Sequence, residues 1–252
     1  MIIDRFRLDG KVAVVTGGTK GIGKAIAIAL AEAGADIAVV SRGPQPDIEK
    51  SIKDLGRRFM HYPADLTERE QTRRVIPAVV EKMGDLDILV NNAGIIRRSS
   101  AAEYTEEDWD AVLENDLTSA FILSKAAGQL MLKKGKGKII NIASVLSFQG
   151  GLNVTAYASA KHGLVGLTRA LANDWASKGV NVNAIAPSFY ITDLTGAIQK
   201  DPDRSKSITA RTPAGRWGIP EDIAGAAVFL ASPASDFIHG VVLPVDGGWL
   251  AW

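Results

Sequence analysis

The sequence predicts an α/β fold: a doubly wound parallel sheet of about seven strands with helices on both faces. Three observations carry this expectation. Short β-branched runs recur along the 252 residues and alternate with longer helix-prone segments. The runs are apolar at consecutive positions, as strands buried on both faces require. A glycine-rich turn joins the first run to the first helix, where open parallel sheets place their ligands.

The strands read Lys11–Thr16, Asp36–Ser41, Arg57–Tyr62, Leu86–Asn91, Lys138–Ile142, Val180–Ile185 and Val241–Val245. Helical patterns span Ile22–Ala33, Thr67–Lys82, Glu106–Lys133, Thr155–Lys178 and Glu221–Ala231. Gly34 fits the left-handed position after the first helix. Pro77 is expected to end its helix, kink it or lie at its edge. Ser188–Gly218 is the least regular stretch, with Pro187, Pro202, Pro213 and Pro220 in or beside it. An insertion of that length in a compact domain is more often functional than idle. No linker, repeat or low-complexity run divides the chain, so residues 1–252 read as a single domain.

Bulk composition narrows the function classes. A net charge of +1 offers no electrostatic case for nucleic acid or an anionic membrane. No apolar run approaches the ~18 residues of a transmembrane candidate, and the first ten residues lack the apolar core of a signal peptide. A cytoplasmic protein is the expectation. With no cysteine there is no disulfide, thiolate or Cys-ligated zinc. His61, His162 and His239 are scattered, so no metal site is expected.

Two stretches carry chemistry. Thr16–Gly23 reads T-G-G-T-K-G-I-G between strand and helix. Gly17, Thr19, Lys20, Gly21, Ile22 and Gly23 could bring backbone N–H groups and a helix N-terminus to a pyrophosphate. The spacing G-x-x-x-G-x-G differs from the usual G-x-G-x-x-G. At the end of the second strand, where a ribose-reading acid is common, stands Ser41-Arg42. A guanidinium there favours NADP(H) over NAD(H), because it can pair with a 2′-phosphate; Lys20 points the same way. In the second stretch, Tyr157 and Lys161 lie four residues apart. On a helix that is one face and ~6 Å of rise. An ammonium beside a phenol lowers the tyrosine pKa from ~10. The ordinary alternative is an interfacial tyrosine and a solvated lysine.

T-G-G-T-K-G-I-G, N-N-A-G at Asn91–Gly94, Asn115, Ser144 and Y-A-S-A-K at Tyr157–Lys161 occur in the order of the short-chain dehydrogenase/reductase family. The chain resembles that family over nearly its whole length. The resemblance implies a Rossmann-type sheet, a nicotinamide cofactor and a homotetramer. It implies Tyr157 as general acid/base, Lys161 on the nicotinamide ribose, Ser144 on the substrate oxygen and Asn115 holding a water that relays protons to Lys161. Asp65 and Leu66 would contact adenine, and Asn91, Ala93 and Gly94 the adenosine ribose. Pro187, Tyr190 and Thr192 would follow at the nicotinamide. Here Ser188 replaces a common glycine, which would disfavour any positive φ needed there.

Finer stretches, N-N-A-G-I-I-R-R at Asn91–Arg98, S-V-L-S-F-Q-G-G at Ser144–Gly151 and P-A-G-R-W-G-I-P at Pro213–Pro220, resemble family members acting on sugar acids. They imply a hexonate-type substrate; some of those members work with NAD(H). A carboxylate substrate suits an arginine fork. Arg97 or Arg98 is the candidate, with Arg216 as alternative, and Gln149 could bond a sugar hydroxyl. Trp249 and Trp252 are expected to fill an oligomer interface. Reduction of a 3-oxoacyl thioester, oxidation of gluconate, and a non-catalytic dinucleotide-binding sensor are the competing readings.

Overall fold

The computed structural model describes residues 1–44 and 46–251. Seven parallel strands form one sheet: β1 (Val12–Thr16), β2 (Asp36–Ser41), β3 (Phe59–Pro63), β4 (Ile88–Asn91), β5 (Gly137–Ile142), β6 (Val180–Pro187) and β7 (Val242–Val245). Their spatial order is β3-β2-β1-β4-β5-β6-β7. This is the expected doubly wound α/β architecture. Its order reverses between β1 and β4, opening a crevice at the carboxyl ends of the strands.

The strands are apolar throughout because both faces are covered. Ala13 and Val15, Ile37 and Val39, and Ile88 and Val90 pack on one face with Ile26 and Leu30 of α1 (Gly21–Glu32). That face also carries Ile48 and Ile52 of α2 (Pro46–Asp54), and Ala227 and Leu230 of the helix Ala224–Ala231. The intervening Val14, Ala38 and Leu89 face α3 (Arg69–Met83) and the helix Ser119–Lys134. The alternation of period two divides one continuous hydrophobic run between two cores.

Pro77 sits inside α3 and does not end it. The residue is exposed, so its ring and the carbonyl it leaves unpaired both face water. Gly34, after α1, has φ 118°, the left-handed region the sequence requires. The expected helix over Glu106–Lys133 is built in three parts: α4 (Glu106–Leu113), a π-helical turn (Glu114–Thr118) and α5 (Ser119–Lys134). Then follows α6 (Thr155–Trp175). Ser188–Gly218 is more regular than its sequence suggests. It folds a short helix α7 (Gly196–Gln199) and α8 (Pro202–Arg211), the latter capped by Asp201 with Pro202 in its first turn. The last α-helix, Ala224–Ala231, is α9.

Trp249 is buried at 6% exposure. Its ring lies 4.9 Å from Phe189 and under the Arg211 guanidinium at 4.0 Å. It therefore packs the α7–α8 excursion onto the body, rather than filling an oligomer interface as expected. Trp252 lies outside the described residues.

Leu89 is fully buried in a central strand. Leu89→Ala is expected to cost about 2–5 kcal/mol, read as a lower urea midpoint with an unchanged slope.

Candidate active site

The turn between β1 and α1 is built for close approach. Gly17 has φ 62° and Gly21 φ 53°, and an added Cβ on Gly17 would meet Ala93 Cα at 3.1 Å. At Gly23 a Cβ would stand 2.4 Å from both Asn92 Nδ2 and Gly17 O. The α1 N-terminus has neither a side-chain cap nor an acid in its first turn. Its free N–H groups and positive end suit an anionic ligand. These residues fit a dinucleotide pyrophosphate. Thr19 is half-buried in the same turn, and Ile22 leans on the α1 core. Lys20 pairs across the crevice with Asp193 at 2.9 Å, both well exposed. Thr192 comes as near, its Cγ2 standing 3.3 Å from where a Gly21 Cβ would be.

The adjoining turn after β4 is tied to this one. Thr16 Oγ1 accepts the N–H groups of Asn92 and Ala93, each at 2.9 Å, and Asn92 Nδ2 donates to Thr16 O at 2.8 Å. Gly94 leaves room beside Asp116 and Lys161, since its Cβ would lie 3.1 Å from Asp116 Oδ2. Asn91, however, turns its carboxamide inward, donating to Ser124 at 3.0 Å and Asn141 at 2.8 Å. Its side chain is engaged in the sheet and is not presented to a ribose.

On the outer side of the crevice, Arg42 is exposed at the end of β2. Ser41 donates to Gly43 O at 2.8 Å and shares a hydrogen bond with His61. Burial acts to raise the Asp65 pKa, but hydrogen bonds from Thr67 and the charge of Arg42 bring it below the usual value. Arg42 and Asp65 thus face one region. Leu66 is buried in the α3 core, leaving only its backbone for a ligand.

The chemical centre lies where β5, α6 and the π-helical turn meet. Lys161, 3% exposed, donates to Ile142 O at 3.0 Å and stands 5.4 Å from the Tyr157 ring centroid. Ser144 Oγ accepts the Leu146 N–H at 3.1 Å, which leaves its hydroxyl proton free to donate. Ser147 fixes this corner, donating to Lys161 O at 2.8 Å and accepting the Ser144 N–H at 3.2 Å. Burial raises the Tyr157 pKa above its ordinary value. Lys161 pulls it down, as the sequence suggests, but does not prevail, and Asp116 adds to the rise.

Asp116 has no part in the sequence expectation. It is buried in the π-helical turn, with Oδ2 3.5 Å from Lys161 Nζ. Asn115 turns its Nδ2 to Asp116 Oδ1 at 2.9 Å and its carbonyl to the Ser119 hydroxyl at 2.5 Å. The side chain that stands directly against Lys161 is the aspartate, with Asn115 next to it in the same turn. A buried carboxylate this far along the chain from Tyr157 and Lys161 leaves no spacing signal; only its place beside Asn115 hinted at it.

The expected substrate residues are divided. Arg97 pairs with Asp108 at 3.2 Å on the surface. Arg98 is the arginine near Tyr157, and burial together with the neighbouring Arg204 lowers its pKa. Arg216 is forked onto Asp222 at 2.6 and 2.9 Å. Gln149 accepts from Arg211 at 3.1 Å. Tyr190 donates to Val245 O at 2.8 Å and belongs to the core, so its side chain is not a cofactor contact. Pro187 ends β6 buried. Ser188 needs no positive φ, since Asn153 is the one non-glycine in that region among the described residues. Its hydroxyl donates to Asp246 O at 2.9 Å. Among the described residues no cluster of His, Cys, Asp and Glu could hold a metal.

A family model described as enoyl-(acyl carrier protein) reductase matches residues 17–250. The chain is 49% identical over 253 residues to a 2-dehydro-3-deoxy-D-gluconate 5-dehydrogenase of Dickeya dadantii (strain 3937), covering 100% of both chains. The chain belongs to the short-chain dehydrogenase/reductase family. It is an NAD(P)-dependent oxidoreductase acting on CH–OH groups. Two solved structures are similar throughout. One is a Beutenbergia cavernae protein described as an NAD(P)-dependent gluconate 5-dehydrogenase, crystallised with NADP at low occupancy. It is 48% identical with a TM-score of 0.95, covering 98% of this chain and 100% of that one. The other, from Agrobacterium tumefaciens and described as a 2-deoxy-D-gluconate 3-dehydrogenase, has bound NADP. It is 47% identical with a TM-score of 0.90, covering 98% and 99%.

Gly23→Ala places a methyl against Asn92 and Gly17. NADP(H) affinity measured by calorimetry is expected to fall about tenfold or more, equivalent to ~1.4 kcal/mol. Unchanged affinity would show that this turn does not seat the cofactor.

Proposed function

We propose that the protein interconverts a secondary alcohol and a ketone on a hexonate-type sugar acid, with NADP(H) as its hydride partner. The substrate class is that named for its Dickeya relative, 2-dehydro-3-deoxy-D-gluconate. The observation that carries this reading is Arg98, an exposed arginine whose charge reaches Tyr157 and that has the cation Arg204 in its neighbourhood. Among the described residues no carboxylate pairs with either arginine, whereas Arg97 and Arg216 are both paired. An unpaired Arg98 guanidinium whose charge reaches the acid/base tyrosine suits a substrate carboxylate.

Gly17–Gly23 would hold the pyrophosphate, with Asp65 and the Leu66 backbone at adenine, and Ala93 and Gly94 at the adjacent ribose. Arg42 would take the 2′-phosphate, which favours NADP(H), and both similar structures carry NADP. Pro187 and Thr192 would border the nicotinamide. Bound there, the nicotinamide supplies or accepts the hydride at the substrate carbon. In reduction Tyr157 donates its phenolic proton to the carbonyl oxygen, and in oxidation the phenolate takes the proton back. Ser144 donates a hydrogen bond to the same oxygen. Lys161, held by Ile142 O, would offer its other N–H groups to the cofactor ribose and lowers the cost of the phenolate. The same reading makes residues 1–252 one catalytic domain, assembled as a homotetramer in the cytoplasm.

A steady-state screen of keto-deoxy-gluconate, gluconate and 2-deoxy-gluconate, each with NAD(H) and NADP(H), tests the assignment. Turnover confined to 3-oxoacyl thioesters would refute it. Tyr157→Phe is expected to lower kcat about 10²–10⁴-fold, the usual worth of a general acid/base; full turnover would sink the mechanism. Arg98→Ala removes a charge-assisted bond worth ~1.5–3 kcal/mol. It is expected to raise KM for the acid about 10–150-fold while leaving neutral ketones unaffected.

A further inference from the structure

We propose that Asp116 is a positioning residue that fixes Lys161 and offsets its charge, keeping Tyr157 protonated through neutral pH. The proposal rests on the reading of Tyr157 as the acid/base, and it assigns a role to a side chain that reading does not use. Asp116 is 2% exposed and lies on the turn of the chain that departs from regular α-helix. Its Oδ1 accepts the Ile95 N–H at 2.8 Å and Asn115 Nδ2 at 2.9 Å. Its Oδ2 is buried with no hydrogen-bond partner and faces Lys161 Nζ across 3.5 Å. Nothing else accounts for a carboxylate oxygen enclosed there: it is neither a helix cap nor part of a surface pair. A buried carboxylate oxygen without a hydrogen bond is retained at a cost, and here it sits against the lysine that acts most strongly on the tyrosine.

The charges around the phenol divide in sign. Lys161 on α6 and Arg98 from the segment after β4 favour the phenolate, Ser144 after β5 hydrogen-bonds it, and Asp116 opposes it. Tyr104, ahead of α4, is the further titratable group within reach of Asp116. Burial pushes the Asp116 carboxyl above the usual range, while Lys161, Asn115 and the Ile95 N–H draw it back. With Oδ2 3.5 Å from Lys161 Nζ, the carboxylate stands as the counter-charge to that ammonium. The pair Lys161–Asp116 then presents little net charge to Tyr157. Delivery of a proton to a ketone proceeds at neutral pH, whereas alcohol oxidation, which needs the phenolate, requires a higher pH. The three groups titrate as a coupled set.

The direct test is an ultraviolet difference titration of the tyrosinate band in the cofactor-free enzyme, with Tyr157→Phe subtracted to isolate one phenol. Asp116→Asn keeps the acceptor for Ile95 N–H and removes the charge. The Tyr157 midpoint is expected to fall by about one pH unit, the lower end of what a neighbouring charge produces. The pH profile of kcat for alcohol oxidation should shift its acidic limb down by the same amount, with the alkaline limb of ketone reduction moving alongside. Asp116→Ser serves as the second variant should the amide pack poorly against the lysine. A midpoint that stays or rises in both variants overturns the proposal, even where kcat falls, since a purely structural role lowers kcat without moving the pKa. Full turnover by Tyr157→Phe would overturn the underlying reading instead, so the two failures are distinguishable.

Discussion

The constraint on which the centre depends is the burial of three ionisable groups, Tyr157, Lys161 and Asp116, in one small volume. A charge so placed is tolerated only with partners. Lys161 finds them in Ile142 O at the end of β5 and in Asp116 on the π-helical turn. Ser147 anchors the backbone of Lys161 itself. The site is therefore an assembly of strand end, helix and turn, and no single element carries it.

That dependence explains why helix irregularities cluster at the centre. The stretch Glu106–Lys134 is helical throughout, yet its register shifts at Glu114–Thr118, where Asn115 and Asp116 are buried together. A regular helix would carry the two residues round by 100° per step. The wider turn directs the aspartate to the lysine and gives its neighbour's amide to the same carboxylate. π-bulges of this kind are frequent at functional sites.

The fold was largely legible because hydrophobic runs report burial without reference to a partner. Ile88, Leu89 and Val90 read as one strand whichever core each serves. The α2 helix was not legible, since Ile48 and Ile52 are its sole buried residues in a charged segment. The signal for α8 lay in Asp201-Pro202, an N-cap followed by proline, and was hidden in a stretch read as irregular. In the site, Tyr157, Lys161 and Ser144 converge, as their motif implies. What the motif did not reveal was the buried Asp116 beside Asn115, and it left Arg97 and Arg98 as alternatives. Spacing is blind to a one-residue shift in a turn or an extended segment. In the same way, Tyr190 and Asn91 stand at motif positions while their side chains turn inward to Val245 and Asn141.

The inward turn of Asn91 has a consequence for how the sheet assembles. Asn91 donates to Asn141, and Asn141 donates to Thr168, itself bonded to Leu164 O, so polar rungs run from β4 through β5 into α6. Apolar strands alone are indifferent to a slide along their length, because valine and isoleucine replace one another at little cost. A slide of β5 against β4 would strand these amides in hydrocarbon, at about 1–3 kcal/mol for each unpaired group. The rungs act as a vernier between otherwise interchangeable strands. They fix the strand end that leads into Ser144 at one height relative to the helix bearing Tyr157.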